Sequence, residues 1–380
     1  MIVSIFVSAV AGGAVNPFLP LFIKNTLHAS SNLSNWATSL CVSLPYLIGA
    51  ILSPFWGRLA DKYGAKPWLM RASWGTAIIY LLMTFVQNVT QLIILKMAQG
   101  LFVGLMTISG AIVVQIVPKK KVGKSLGLVA TTSSISTIVA PVIGSVLVPL
   151  VTFRGLVFTS AIILFLNCIF LSKNLPNPKV ETKSLDKKPE TFKWNLGIFF
   201  LLTATFLVQA VNNAVSPYIA FFVQEISRNT GGLSIGLSVS ATGIMTFLTA
   251  RSLGKLVDRY SAALILFAML TLGGFSLFLS SIADSLFIFI MSRAIFGISD
   301  AGVNPAIEVQ ITKMTKPNQL NRSFSYIQSA QSVGVAVGPF IGAFLNTHGG
   351  YQLVFSSVSG LYWVLIIAII VFYLLRRKSD

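Results

Sequence analysis

The chain has 380 residues, of which 54% are hydrophobic and only 10% are charged. A water-soluble domain carries charge on about a quarter of its residues, so this composition excludes a soluble protein and indicates one that lies in a bilayer. The formal net charge is +18. The basic residues stand in short groups between long apolar runs, which is typical of cytoplasmic loops of a membrane protein and argues against a nucleic-acid partner.

The apolar runs predict an all-α membrane protein with twelve transmembrane helices. A spanning helix needs about 20 mainly apolar residues. The two cysteines, Cys41 and Cys168, fall inside apolar runs, so we expect no disulfide framework, no metal site and no cofactor. The predicted helices cover 2–23, 35–57, 68–87, 91–117, 125–150, 154–173, 195–224, 233–254, 262–282, 285–313, 323–346 and 351–375.

The distribution of lysine and arginine predicts the orientation of these helices. Of the 28 basic residues, 23 follow the even-numbered predicted helices, and three (Lys24, Arg154 and Arg228) lie on the opposite side. Because cytoplasmic loops carry the excess of Lys and Arg, we expect a multi-pass protein of the plasma membrane with both termini in the cytoplasm.

A polar segment divides the predicted helices into two groups of six. Residues 173–194 hold three prolines and six lysines, which is typical of a cytoplasmic linker. We therefore predict an N-terminal half over 1–172 and a C-terminal half over 195–380.

The two halves repeat one another at an offset of about 197 positions. An even number of spans in each half gives both the same orientation, so we expect a pseudo-twofold axis along the membrane normal. The recurring elements are Gly57–Tyr63 with Gly254–Tyr260, Lys96 and Gly100 with Arg293 and Gly297, Leu156–Phe158 with Leu353–Phe355, Pro141 and Gly144 with Pro339 and Gly342, and Asn16–Phe18 with Ser216–Tyr218.

Several motifs resemble those of a known family. The loop after the second predicted helix reads Gly57-Arg58-Leu59-Ala60-Asp61-Lys62-Tyr63-Gly64-Ala65-Lys66, and the first predicted helix carries Pro17-Phe18-Leu19-Pro20. The chain resembles the major facilitator superfamily over its whole length, and within it the twelve-helix drug:proton antiporters of bacteria. It departs from the family at Ala65, where a basic residue is usual, and at Lys96, where Arg is usual. In the antiporter motif of helix 125–150, Gly127, Pro141 and Gly144 are kept, but Ser136, Ala140 and Ser145 replace glycines.

The resemblance implies gates at two places. An acid where a helix meets the cytoplasm can cap a neighbouring helix and pair with loop cations, although a charge there also simply sets topology. Small residues and prolines in helices 125–150 and 323–346 suggest a bendable gate, and tight helix packing explains them equally well. The cytoplasmic gate candidates are Gly57, Asp61, Lys62, Gly254, Asp258 and Arg259, and those of the second gate are Pro141, Gly144, Gly338, Pro339 and Gly342.

Charges inside the predicted membrane helices indicate a functional site. Helix 285–313 carries Arg293, Asp300, Asn304 and Glu308 at intervals of seven, four and four, so they share one face. Such charges are costly and usually face a cavity. The proton-coupling candidates are Glu308, Asp300, Arg293 and Lys96. Asp300 is equally well explained by an ion pair with Arg293 or Lys96, whereas Glu308 has no obvious cation and is the better proton carrier.

Further polar and aromatic residues suggest a central cavity for a small-molecule substrate. Taken singly, each polar residue is as well explained by hydrogen bonds that join helices. The cavity candidates are Asn16, Phe18, Gln99, Gln209, Asn213, Tyr218, Asn304, Tyr326 and Gln328.

These features together predict a monomeric, proton-coupled secondary transporter that exports amphiphilic small molecules or drugs by alternating access. The alternative is a narrow-specificity facilitator of a metabolite such as a sugar or an amino acid. An enzyme is not expected: Gly232–Gly236 fits the nucleophile-elbow motif by letters alone, because no strand and no catalytic partners accompany it. No phosphate-binding loop is present, so ATP does not drive the protein directly.

Overall fold

The computed structural model describes residues 2–63, 65–102, 112, 117, 122–175, 196–226, 232–315 and 320–377, and these contain helices and no strand. The predicted all-α class is therefore confirmed, while the count of twelve spans stays a prediction. The α-helices are α1 (Ile2–Val15), α2 (Leu19–Leu21), α3 (Ser31–Tyr63), α4 (Ala65–Thr84), α5 (Val89–Gly100), α6 (Val122–Asn174), α7 (Leu196–Val215), α8 (Ile219–Ile226), α9 (Gly232–Arg259), α10 (Ala262–Ser281), α11 (Leu286–Met314) and α12 (Leu320–Arg377).

Two of these helices are long enough to cross a bilayer twice. Among the described residues, eight stretches are long and apolar enough to cross a membrane, and two of them, Thr131–Asn174 and Ser323–Ile370, have 44 and 48 residues. Each contains a backbone break where the sequence predicts a turn. The break in α6 is at Thr152, with φ 64° and ψ 172°, and the break in α12 is at Gly349 and Gly350, with φ 70° at Gly350.

Proline changes the hydrogen-bond pattern of the first predicted helix. Instead of one α-helix over 2–23, the chain passes from α1 through a 3-10 turn at Asn16–Phe18 to α2 and a π turn at Phe22–Thr26. Pro17 and Pro20 lack the N–H that an α-helix needs at those positions. Pro217 has the same effect between α7 and α8, where Ser216–Tyr218 forms another 3-10 turn.

The chain forms two compact units. The first comprises Met1–Glu190 with Gly231–Gly236, and the second comprises Thr191–Thr230 with Leu237–Asp380. In the first unit α1 and α4 pack on α6, and α3 packs on α5. In the second, α7 packs on α12, and α10 packs on α11 and α12. Most of the predicted linker at 173–194 lies outside the described residues, so its boundaries stay predictions.

The same glycine contact occurs in each unit, on its own helices. A Cβ atom on Gly100 would lie 2.7 Å from Cβ of Ile48 and 3.0 Å from the Pro45 carbonyl oxygen. A Cβ atom on Gly297 would lie 3.0 Å from Cβ of Met245 and would overlap the carbonyl of Thr242. All three residues of the second contact stand 197 positions after those of the first. In both units the helix that carries the buried cation, Lys96 or Arg293, is thereby held against its neighbour.

Candidate functional site

A buried cation lies on α11 in the second unit. Arg293 is 7% exposed, and its Cζ atom lies 4.9 Å from the centroid of the Phe296 ring. Its Nε and Nη1 atoms are buried without a hydrogen-bond partner in the described part of the chain. Two of the three guanidinium nitrogens therefore have no acceptor there, and the Phe296 ring lies against the charged group.

Asp300 lies two turns further along α11 and accepts a hydrogen bond from another helix. Nδ2 of Asn212, on α7, donates to Oδ1 of Asp300 at 3.0 Å. The described residues show no ion pair between Asp300 and Arg293. A carboxylate held by a neutral amide can take up a proton without breaking an ion pair, so this arrangement is compatible with proton transfer.

Asn212 contacts the candidate site, although the sequence motifs do not single it out. Its own Oδ1 is buried and has no partner in the described residues. The sequence points to the adjacent Asn213 instead, whose Nδ2 donates to the Gln209 carbonyl of the same helix at 2.9 Å. Neighbours in a helix point about 100° apart, so the choice between the two depends on which side of α7 faces α11.

Short contacts from two neighbouring helices fix the position of α11. Thr242 and Thr246 on α9 donate to the carbonyls of Arg293 and Gly297 at 3.0 and 2.9 Å. On the other side, Oγ of Ser299 donates to the Met269 carbonyl of α10 at 2.6 Å. The charged groups of α11 consequently lie on a helix that is rigidly held.

Gly273 allows α10 to pack closely on α11 and α12 next to Asp300. A Cβ atom there would lie 2.5 Å from Oγ of Ser299 and 2.7 Å from Cε1 of Tyr362. Tyr362 is 2% exposed and lies on α12. Any larger residue at this position would push α10 away from α11 and α12.

The remaining candidates on α11 are less enclosed. Asn304 and Glu308 are partly buried, and the described residues offer Glu308 no cation as a side-chain partner. Lys313, the first cation after it on α11, is exposed. The predicted common face therefore runs from a buried cation to a partly buried acid.

The first unit has its own buried cation. Lys96 is 3% exposed, its Nζ donates to Oε1 of Gln99 at 3.1 Å, and it lies 6.0 Å from the centroid of the Tyr80 ring. Oη of Tyr80 donates to the Gly12 carbonyl at 3.2 Å. No described side chain of this unit carries a carboxylate, so the partner of Lys96 here is neutral.

The predicted cavity residues fall into different environments. Phe18 and Tyr218 are fully enclosed, with ring atoms 3.0 and 2.7 Å from the Cβ positions of Gly144 and Gly342, so both rings pack between helices of their own unit. The role of each of these residues in a substrate cavity stays a prediction. The exposed ones are Asn16 and Gln328, and the partly buried ones are Gln99, Gln209, Asn213, Asn304 and Tyr326.

The gate candidates lie in different environments, and some lie outside the described residues. All five of the second gate are buried, and Gly338 and Gly342 face backbone carbonyls of Ala210 and Ala214 on α7. Gly254 has no atom within 4 Å of a Cβ position, and Arg259 is exposed, with Cζ 5.9 Å from the Tyr260 ring. The side chains of the other four candidates lie outside the described residues: Gly57, Asp61, Lys62 and Asp258.

Comparison with known proteins identifies the family. The model of the Major Facilitator Superfamily matches residues 1–260 and also 201–380. The chain belongs to the Major Facilitator Superfamily. It is therefore a membrane transporter and not an enzyme, and Gly232–Gly236 of the supposed nucleophile elbow lies in the first turns of α9.

Similar proteins of known name are consistent with this family. The chain is 30% identical over 380 residues to "Multidrug resistance protein MdtG" of Salmonella paratyphi B, across 98% of this chain and 94% of the relative, and the Salmonella typhi protein of the same name gives the same figures.

Two solved structures share the fold of this transporter. The nucleoside transporter NupG has a TM-score of 0.82 at 12% identity, over 97% of this chain and 99% of its own. A bacterial homologue of the human lysosomal transporter Spinster, in an inward-facing and unoccupied conformation, has a TM-score of 0.75 at 14% identity, over 98% and 93%.

Proposed function

We propose that this transporter exports amphiphilic small molecules across the plasma membrane in exchange for protons, by alternating access. The observation that carries the proposal is the pair of acids on membrane helix α11: Asp300 accepts a hydrogen bond from the Asn212 amide, and Glu308 is partly buried without a cation partner in the described residues. Intramembrane acids are costly and usually serve transport. The 30% identity to multidrug resistance proteins supports export of varied compounds.

The proposed roles of the two acids differ because their surroundings differ. Glu308 is partly buried and without a cation, so it is the proposed proton carrier. Asp300, with Asn212 and Arg293, is proposed to shape the site and to become the carrier only if Glu308 is not. Asp61 and Asp258 are proposed to latch the cytoplasmic side, and the glycines and prolines of α6 and α12 to allow helices to bend.

Proton entry provides enough energy for this exchange. One proton releases about 2.3 kcal/mol per 100 mV and about 1.4 kcal/mol per pH unit. Since each 1.4 kcal/mol corresponds to a tenfold ratio, one proton supports a substrate gradient on the order of a hundredfold.

Inside-out vesicles with an imposed pH gradient test the proposal. Wild-type protein should concentrate a fluorescent amphiphilic dye, and a protonophore should abolish the gradient. Glu308→Gln keeps shape and hydrogen bonding but cannot titrate, so this variant should bind dye without concentrating it. Asp300→Asn should weaken binding or folding. Asp284→Asn is the matched control, because Asp284 is an exposed acid between α10 and α11.

Each outcome distinguishes between roles. Uphill transport by Glu308→Gln would assign the proton to Asp300, and uphill transport by both variants would contradict coupling through α11. Transport of a single metabolite that ignores the pH gradient would favour the facilitator.

A further inference from the structure

Aromatic and cationic side chains of the first unit meet near the connection between α3 and α4. Trp56 lies near the end of α3, Trp68 and Arg71 lie near the start of α4, and Phe102 follows α5. Cζ of Arg71 is 3.6 Å from the centroid of the Trp56 ring, 5.3 Å from that of Trp68 and 5.8 Å from that of Phe102. The centroids of the two indole rings are 5.2 Å apart. We call Trp56, Trp68 and Arg71 the indole–guanidinium cluster.

This cluster presents donors and no acceptor. Nε and Nη2 of Arg71, Nε1 of Trp56 and Nε1 of Trp68 are all buried, and none has a hydrogen-bond partner in the described part of the chain. Guanidinium and indole groups can donate hydrogen bonds but cannot accept them. Four unpaired N–H-bearing nitrogens around one positive charge match an anion with several oxygen atoms.

Three other cations of the first unit that are at least partly buried or bonded donate to an acceptor, unlike the buried nitrogens of Arg71. Nζ of Lys66 donates to the Leu175 carbonyl, and Nη2 of Arg154 donates to the Val86 carbonyl at 2.9 Å. Nζ of Lys96 donates to Gln99. No described carboxylate exists in this unit to neutralise Arg71. Stacking on Trp56 accounts for the position of the guanidinium but leaves its Nε and Nη2 atoms without an acceptor in the described residues.

The position of the cluster along α3 indicates the membrane surface. From Ser31 to Trp56 the helix rises about 38 Å at 1.5 Å per residue, which exceeds the roughly 30 Å of the hydrocarbon core. Tryptophan is enriched in the headgroup region. The predicted orientation puts this end of α3 on the cytoplasmic side, where anionic lipids gather near basic residues.

We propose that the indole–guanidinium cluster binds a phosphate group, supplied by the headgroup of an anionic phospholipid in the cytoplasmic leaflet. Arginine binds phosphate through two parallel N–H bonds, and the indole N–H groups supply further donors to its oxygens. All three side chains are only partly buried, and binding of a headgroup requires these side chains to move so that their buried N–H groups face the headgroups. The site is independent of the transported substrate and of the proton.

Thermal unfolding of the purified full-length protein in detergent tests this site. Phosphatidylglycerol should raise the melting temperature of the wild type more than zwitterionic phosphatidylcholine does. Arg71→Gln should raise the half-saturating concentration of phosphatidylglycerol about tenfold, since it removes charge-assisted hydrogen bonds. Trp68→Phe should raise it several-fold while keeping an aromatic ring. Arg251→Gln, which removes an exposed cation of α9, should leave it unchanged.

The remaining arms separate the lipid from free phosphate and from a general charge effect. Inorganic phosphate that reproduces the shift, and loses it in Arg71→Gln, would assign the site to free phosphate. An equal loss in Arg251→Gln would overturn the proposal, because net charge alone would explain it. If Arg71→Gln fails to fold, Trp68→Phe carries the test, and an unchanged lipid response in that variant would overturn the proposal.

Discussion

The hydrogen bond from Asn212 to Asp300 joins α7 to α11 through one amide group. Nδ2 of Asn212 donates to Oδ1 of Asp300 at 3.0 Å, and Oδ1 of Asn212 is buried without a partner in the described residues. Hydrogen bonds to charged groups contribute about 1.5–3 kcal/mol. We therefore expect this one amide to contribute to the stability of the contact between α7 and α11.

We predict that Asn212→Ala lowers the free energy of unfolding by about 1.5–3 kcal/mol, because it leaves the carboxylate without its donor. Asn213→Ala is the matched control: it loses only a bond to a carbonyl of its own helix, so the cost should be about 1 kcal/mol or less. Thermal unfolding of both variants in one detergent measures the difference. Equal losses would show that the bond to Asp300 is not special.

At the scale of single residues, the sequence predicts which side chains are unusual better than it predicts which side chains contact one another. The spacing of Arg293 and Asp300 marks them as unusual, because charge inside an apolar helix is visible in one dimension. The contact of Arg293 with Phe296 is local, since the two residues lie three positions apart on α11. The bond from Asn212 to Asp300 depends on how α7 is rotated toward α11, which the apolar sequence does not specify.

A row of glycines joins α12 to α7. Cβ atoms on Gly334, Gly338 and Gly342 would all overlap backbone carbonyls of α7, those of Phe206, Ala210 and Ala214. Three contacts at four-residue spacing on each helix bring the two backbones together along three turns. Because lipid provides no hydrophobic force between helices, we expect this close packing to contribute to the association of the pair.

We predict that Gly338→Ala lowers the free energy of unfolding by about 1–3 kcal/mol, because the added methyl group must separate the two backbones. Gly360→Ala is the control, since nothing lies within 4 Å of a Cβ atom there, and the better helix propensity of alanine should stabilise α12 by about 0.5–1 kcal/mol. Melting temperatures in one detergent should move in opposite directions. A shared direction would contradict the packing argument.

At the scale of helices and turns, the sequence predicts where a turn lies better than it predicts the backbone hydrogen-bond pattern of a helix. The turn at Gly349 and Gly350 is predicted because two glycines interrupt an apolar run. The 3-10 and π turns around Pro17 are not, because proline shows that a hydrogen bond is missing without showing how the backbone adjusts.

At the scale of the whole molecule, repetition carries most of the information. The recurrence at about 197 positions indicates the family, and the contacts of Gly100 and Gly297 recur at that spacing in each unit. The transported compound cannot be predicted in this way, because it depends on a few side chains and on their arrangement around it.

Topology can be tested with single added cysteines. We predict that Asn229→Cys reacts with a membrane-impermeant maleimide in intact cells and that Lys183→Cys reacts only after permeabilisation, because the Lys and Arg excess predicts a cytoplasmic position for residue 183. The wild type is the control, since its own Cys41 and Cys168 are each 1% exposed and should react slowly. Reaction of both sites from outside would overturn the predicted orientation.

Thr152 offers protein engineers a stabilising substitution. Its φ of 64° and ψ of 172° suit glycine and strain a β-branched residue, and its Oγ1 atom accepts only a 3.5 Å hydrogen bond from Gly155. The corresponding turn of α12 is formed by two glycines, Gly349 and Gly350. Thr152→Gly should therefore stabilise the protein by about 1 kcal/mol and raise its melting temperature while dye transport stays at the wild-type rate. A lower melting temperature would show that the threonine side chain holds the turn. A higher one would provide a longer-lived sample on which to capture a bound substrate.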